Sequence, residues 1–233
     1  MIYENEFNFT KESFDIKGNV HPFYILDIFE KGASAHGERI GVGEEKMCKK
    51  NLFWIISRIK YEVLKPVKPN ETYIIRTWPL KPTKLNFQRE YLICDKEGNE
   101  FIKGTANWLT IDRTERKLVI GADIFPEMEF CDKENFSSKV IRLRDFDNGE
   151  FKKEITLTKE HIDSNGHVNN KHYTTFIEDA LGGFSKEIKT FQIDYVAEIM
   201  ENDKVSVYTL TENEIIFAKG ESDKRNFIAK IEF

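Results

Sequence analysis

One order of predicted elements occurs twice along the 233-residue chain, and this repeat limits what it can fold into. Phe23 to His36 carries apolar or small residues at Ile25, Ile28, Phe29, Gly32 and Ala33, the spacing of a helix with one buried stripe. Pro22 suits the first turn of that helix and Gly37 its stop. Four β-like runs follow, Leu52–Lys65, Thr72–Pro79, Phe87–Cys94 and Phe101–Ile111, punctuated by Pro66, Pro69-Asn70, Pro79, Pro82 and Gly98-Asn99. Asn170 to Leu181 then reads as a second helix, with its stripe at Tyr173, Phe176, Ile177, Ala180 and Leu181 and its end at Gly182-Gly183. Four more runs complete the series: Thr190–Val196, Lys204–Leu210, Glu214–Lys219 and Asn226–Phe233.

The two helical stripes match at an offset of 148 residues, which also sets Asp15-Ile16-Lys17-Gly18-Asn19-Val20 against Asp163-Ser164-Asn165-Gly166-His167-Val168. Farther along the offset falls to 134, pairing Ile59 with Ile193 and Tyr61 with Tyr195. The first unit therefore carries about fourteen extra residues after its helix. The expected class is α+β. Each unit lays a long helix on an antiparallel sheet, and the two sheets join edge to edge. The expected division is 1–120, an irregular connector over 121–149 (with Pro126 and many polar residues), and 150–233, which opens on a further β-like run at Phe151–Leu157.

With 40% hydrophobic and 32% charged residues, the chain has the composition of a packed globule rather than of a disordered or low-complexity segment. No apolar run is long enough to span a bilayer, and the acidic N-terminus lacks the features of a signal peptide. Cys48, Cys94 and Cys131 are too widely spaced for a metal site or a disulfide framework. They read as buried small residues, and a cytoplasmic location fits them. The net charge of -5 argues against general nucleic-acid binding. The charge is uneven, however. Lys46 to Arg89 holds eleven bases (Lys46, Lys49, Lys50, Arg58, Lys60, Lys65, Lys68, Arg76, Lys81, Lys84, Arg89) against Glu62 and Glu71, a local +9 that leaves -14 for the remainder. This segment reads either as a solvated strand face or as a docking surface for an acidic macromolecule.

The densest polar cluster, His161 to Asn170, lies between a strand and an apolar helix. Asn169 and Asn170 suit helix capping. Asp163, Asn165 and His167 alternate, so an extended segment would point all three to one side. A helix N-terminus beside them offers backbone N–H donors to a developing oxyanion. His161, His172, His21 and His36 read as packing or surface residues, and Trp54, Trp78 and Trp108 as sheet aromatics. His161 and His167 lack a third ligand at metal spacing, so neither a metal nor a cofactor is expected.

The run Asp163-x-Asn165-x-His167-Val168-Asn169-Asn170 before an apolar helix resembles the acyl-acyl carrier protein thioesterases, double hot-dog proteins of plants and bacteria. Met47-Cys48-Lys49-Lys50-Asn51-Leu52-Phe53-Trp54 with Ser57-Arg58, Ala106-Asn107-Trp108 and Tyr195-Val196-Ala197-Glu198 extend the resemblance from about Phe7 to the end. It implies hydrolysis of fatty acyl-acyl carrier protein to free fatty acid, with Asp163, Asn165, His167 and Glu198 as the catalytic set. On that reading Glu198, on a strand between Ala197 and Ile199 and with its pKa raised by burial, is the base or the nucleophile. His167 serves water, oxyanion and leaving thiolate, Asn165 orients water or His167, and Asp163 steadies both from behind.

Plant relatives often have Cys after this Glu. Ile199 stands here, which excludes a thiol mechanism at that position. An acidic carrier protein would also suit the basic segment Lys46–Arg89. At positions matching Asn165, His167 and Glu198 the first unit has Lys17, Asn19 and Leu64, so its chemistry is lost and its expected task is to shape the acyl pocket. Ile25, Ile28, Phe29, Phe53, Ile55 and Trp108 are candidates for that wall, each also explicable as core. An acyl-CoA thioesterase and a noncatalytic acyl-binding sensor are the alternatives. The second predicts loss of the polar set from both halves, whereas the second half keeps it. A dehydratase would need a His with a carboxylate on the central helix. The expected state is a monomer or a homodimer.

Overall fold

The computed structural model describes residues 2–83, 86–120, 124–125, 128–163 and 166–233. The first unit comprises β1 (Tyr3–Asn8), α1 (Pro22–Arg39), α2 (Glu44–Lys49), β2 (Leu52–Val63), β3 (Thr72–Pro79), β4 (Phe87–Cys94), β5 (Glu100–Asp112) and β6 (Leu118–Val119). The second comprises β7 (Glu150–Ile155), α3 (His172–Leu181), β8 (Thr190–Tyr195), β9 (Val205–Glu212), β10 (Ile215–Glu221) and β11 (Arg225–Glu232). One antiparallel sheet runs β1-β3-β4-β5-β2-β8-β11-β10-β9-β7, with β6 paired to β5. Read outward from the junction, the two halves have the same strand order.

The junction is the pairing of β2 with β8. Arg58 faces Asp194, Ile59 faces Ile193, Lys60 faces Gln192 and Tyr61 faces Phe191. The register sets Ile59 directly opposite Ile193, the residues that the 134-residue offset equates, so the repeat folds as a pseudo-two-fold pair. Tyr61 and Phe191 stack across the seam with centroids 5.5 Å apart. β1 has charged residues at Glu4 and Glu6 on an edge strand. It occupies the place that β7 holds 148 residues later, and sequence periodicity alone does not reveal it.

Helix α1 lies close to the sheet because Gly104 leaves room for Phe29. A Cβ there would come within 2.2 Å of the Phe29 ring. Phe29 stacks on Tyr91 at 4.4 Å, which marks the helix-facing side of β4. The helix does not stop at Gly37, which is inside it. It ends after Arg39, where Gly41 takes a left-handed φ of 74°. His36, near its end, is buried, and its Nδ1 accepts an Arg89 N–H at 3.0 Å. Arg89 can only donate, so Nδ1 carries the lone pair and the ring is neutral. Burial first, then the Arg89 charge, pushes His36 down to about 4 from 6.5.

The connector crosses the opposite face of the sheet as an extended strap. The Cys131 N–H donates to Pro79 O at 3.0 Å, and Trp78 Nε1 donates to Lys133 O at 2.7 Å. Asn135 donates its backbone N–H to Glu90 Oε2 at 2.8 Å and its side-chain amide to Tyr91 O and Gly104 O. At the seam, Arg58 Nε donates to Asp194 Oδ1 at 2.8 Å and Arg58 Nη1 to Val140 O at 3.0 Å, while Asp194 Oδ2 accepts the Leu143 N–H at 3.0 Å. The two side chains are 15% and 3% exposed. The strap thus supplies polar partners for charges that the seam buries. The cysteines depart from the expectation of burial. Cys94 is buried, Cys131 half-buried and Cys48 exposed, because α2 turns the neighbouring Met47 inward instead.

Asp194→Ala leaves Arg58 buried without its carboxylate and is expected to lower the unfolding free energy by about 3 kcal/mol, read from urea denaturation. Unchanged midpoints would show the pair to be dispensable. His36 has a folded-state pKa below its unfolded one, so its stability contribution is present above about 6.5 and lost as pH falls towards about 4. His36→Asn keeps an acceptor for Arg89 but cannot take the proton. The stability of the wild type relative to this variant should therefore decline over that window. Parallel curves would refute it.

Candidate active site

Among the described residues the two copies of the polar loop make the same backbone hydrogen bonds. In the second unit, Asp163 N–H donates to His167 O at 2.7 Å, Gly166 N–H donates to Asp163 O at 3.1 Å, and Ile162 bridges Val168. In the first, Asp15 N–H donates to Asn19 O at 2.9 Å, Gly18 N–H donates to Asp15 O at 3.0 Å, and Phe14 bridges Val20. Gly166 and Gly18 both have left-handed φ, 80° and 86°. The aspartate carboxylate closes each loop: Asp163 Oδ1 accepts His167 N–H at 3.1 Å, and Asp15 Oδ1 accepts Asn19 N–H at 2.9 Å. The half without the His, Asn and Glu set keeps this aspartate and its geometry. Asp163 is accordingly built into the loop that presents His167. Asn165 lies outside the described residues.

His167 bridges Met200, which brings the loop against the segment after β8. Glu198 is in that segment. Its side chain is 45% exposed and that of His167 20%, with His167 Nδ1 3.5 Å from Glu198 Oε1. The expected strand-buried carboxylate is not found, because β8 ends at Tyr195 and the chain turns away from β2 beyond it. Side chains fix the backbone of this segment. The Ile199 N–H donates to Tyr173 Oη at 3.2 Å, and Asn226 Nδ2 donates to Glu198 O at 3.2 Å. Arg116 Nη2 lies 2.9 and 2.8 Å from the two Glu198 oxygens and reaches across from the other unit. It projects from the turn between β5 and β6, in a left-handed backbone conformation (φ 55°), with its guanidinium over the Phe53 ring at 5.0 Å. Nothing in the sequence beyond a charged turn marks Arg116. Tyr173 was legible only as an apolar stripe position.

His167 and Glu198 line a cleft of about 540 Å3 with Ile55, Trp54, Trp108 and Tyr195. It opens where the seam stops. On the other side of the pseudo-two-fold, Val63 N–H continues the pairing to Lys189 O at 2.8 Å. The symmetric residues, Ala197 and Ile55, do not pair, and Ala197 N–H donates to Asn226 O at 3.1 Å instead. The symmetry-related pocket beside Asp15 and Asn19 has shrunk to about 10 Å3, walled by Phe184 and Ile188. Lys17, the counterpart of Asn165, secures that wall by donating from Nζ to Phe184 O at 3.0 Å and Ser185 O at 3.1 Å.

A second cavity of about 450 Å3 adjoins the cleft and shares Glu30, Trp54, Trp108 and Asp163 with it. Gly37, Val42, Gly43 and Met47 form one wall, from the last turns of α1 and from α2. These are largely the extra residues of the first unit, so the insertion legible as a change of offset builds the cavity. Among the predicted wall residues, Phe53, Ile55 and Trp108 line these spaces, whereas Ile25 and Phe29 are fully buried core and Ile28 packs against it. His161 caps its own turn by accepting Thr158 N–H at 3.0 Å, and burial lowers the pKa of both it and His172. Among the described residues, no three His, Cys, Asp or Glu side chains gather to hold a metal ion.

Not every basic residue of the segment expected to dock a partner reaches the surface. Strand alternation sends Arg58 under the strap and Arg89 beneath α1. Lys60 covers the Phe136 ring, Arg76 pairs with Glu4, and Lys68 lies 3.6 Å from Glu71. Lys46, Lys49, Lys50, Lys65 and Lys81 are exposed. Lys84 lies outside the described residues.

Residues 1–128 match the N-terminal domain of acyl-ACP thioesterases and residues 146–230 their C-terminal domain. The oleoyl-acyl carrier protein thioesterase of Coriandrum sativum is 22% identical over 209 residues, covering 81% of this chain and 57% of its own. The palmitoyl-acyl carrier protein thioesterase of Gossypium hirsutum is 28% identical over 155 residues, covering 63% and 37%. The chain thus spans about half the length, or less, of these relatives. An acyl-ACP thioesterase from Bacteroides thetaiotaomicron superposes with a TM-score of 0.90 at 22% identity, over 100% of this chain and 97% of that one. The 12:0-ACP thioesterase from Umbellularia californica superposes at 0.85 with 16% identity, over 99% and 96%. The fold is the double hot-dog, and the chain belongs to the acyl-ACP thioesterase family.

Proposed function

We propose that this protein hydrolyses the thioester of fatty acyl-acyl carrier protein, releasing free fatty acid and the carrier protein. The observation that carries the reading is the 3.5 Å approach of His167 Nδ1 to Glu198 Oε1 in a cleft that adjoins a second cavity. The acyl chain lies in that cavity and the thioester carbonyl beside His167. Glu198 takes a proton from water, whose oxygen adds to the carbonyl carbon. The tetrahedral intermediate expels the pantetheine sulfur, and the C–S bond breaks. Glu198 passes the proton it took from water to His167, which delivers it to the departing thiolate, so both groups end as they began. Asn165 orients the water, and Asp163 holds the loop in register through the His167 N–H. Arg116 aims the Glu198 carboxylate. The second unit is the catalytic one, and the first supplies the acyl cavity. Its exposed lysines Lys46, Lys49, Lys50 and Lys81 dock the acidic carrier protein, in the cytoplasm.

Glu198→Ala and His167→Ala should each lower turnover by at least about 100-fold with the fold retained by circular dichroism. Full activity in either would remove the assignment. Reversing the charge of Lys46, Lys49, Lys50 and Lys81 together should raise KM for carrier-protein substrates and leave small thioesters unaffected. An equal loss on both would defeat the docking reading. Hydrolysis rates for acyl-carrier-protein thioesters of graded length, set beside the matching acyl-CoAs, separate this activity from that of an acyl-CoA thioesterase.

A further inference from the structure

The cavity beneath α1 contains a cation that an apolar chain does not need. Arg89 is 7% exposed and lines the cavity at the sheet, next to Phe87 and Gln88. Its Nη1 donates to His36 Nδ1 at 3.0 Å and to Thr77 Oγ1 at 3.3 Å. Both acceptors are neutral. Thr77 Oγ1 spends its own proton on Glu90 O at 2.8 Å, so the oxygen is free to accept. These contacts fix the guanidinium plane and use one of its three nitrogens, leaving Nε and Nη2 as donors. Among the described residues no protein acceptor meets those donors, and no carboxylate pairs with the charge. Four carboxylates line the cavity: Asp163 closes its own loop, Glu44 is exposed to solvent, and the other two are engaged elsewhere. Glu38 Oε1 accepts Glu44 N–H at 2.9 Å, and Glu30 bonds the Asn169 side chain. A buried guanidinium with no counter-charge is costly, and a cavity built only for hydrocarbon gains nothing from it.

We propose that the cavity selects acyl chains carrying an oxygen acceptor (a hydroxyl, an oxo group or a terminal carboxylate), which binds the free edge of the Arg89 guanidinium. This rests on the acyl-thioesterase reading of the site and names its substrate class. Met47, Val42 and Trp54 contact the hydrocarbon part of the chain, and Arg89 supplies the single polar point that sets its position. A site built to bond an oxygen discriminates strongly against the chain that lacks it, because its donors are then left dry.

The test is a panel of carrier-protein thioesters of equal carbon number: saturated, hydroxylated and oxo-substituted at graded positions, and ω-carboxylated. At least one oxygenated chain should exceed the saturated one in kcat/KM by roughly 10- to 100-fold in the wild type, the worth of a hydrogen bond to a charged group. The arm that wins identifies the acceptor. Arg89→Met should bring that ratio towards one, and Arg89→Lys should retain part of it. A wild type that prefers the saturated chain over every oxygenated partner overturns the proposal, whether or not the variants fold. Titration calorimetry with the free oxygenated and saturated acids needs no turnover. Equal affinities there overturn the Arg89 role, whereas selective binding without hydrolysis of any thioester would sustain it and overturn the thioesterase reading.

Discussion

The Arg58–Asp194 ion pair is buried where β2 meets β8, and the arrangement of the two halves depends on that junction. A short antiparallel seam turns the sheets of the two units into one surface and fixes which loops face each other across it. Two charges buried together are tolerated only when their remaining donors and acceptors are filled. Val140 and Leu143 of the strap fill them. The seam and the strap are therefore one construction, since neither satisfies its polar groups alone.

The pseudo-two-fold through Ile59 and Ile193 would give two equal sites, and three departures from symmetry leave one. On one side the pairing runs on through Val63 and Lys189, and on the other it stops before Ile55 and Ala197. Lys17, the residue that the repeat equates with Asn165, ties down the wall of the closed pocket. The added length after α1 becomes α2 and the wall of the second cavity. Each departure is small in sequence. Together they separate a volume of about 10 Å3 from one of about 540 Å3.

Most elements of the fold could be read from pattern. The helix stripes and the strands β3 and β4 match their sequence boundaries, because apolar periodicity and flanking Pro or Gly act locally. β1 escaped because Glu4 and Glu6 suit an edge strand that buries little, although the 148-residue offset from β7 points to it. α2 escaped because a six-residue helix rests on tertiary contacts such as those of Met47 rather than on propensity. In the site, the Asp163–His167 loop was legible as a motif. Arg116 was not, because it reaches Glu198 from 82 residues away through the topology alone. The basic segment shows the limit of counting charge. Strand alternation places Arg58 and Arg89 inside while their neighbours on α2 face solvent.

The strap also determines how the protein responds to dilution. Two separate units joined by the same seam would dissociate as their concentration fell, and the cleft would lose Phe53, Trp54 and Arg116 with the departing partner. A covalent connector that stays on the sheet makes docking of the halves a unimolecular step with a fixed effective concentration. The half that carries His167 and Glu198 then keeps its opposite wall at any abundance of the protein. The two halves are also free to diverge, since no identical copy has to fit both sides of the joint.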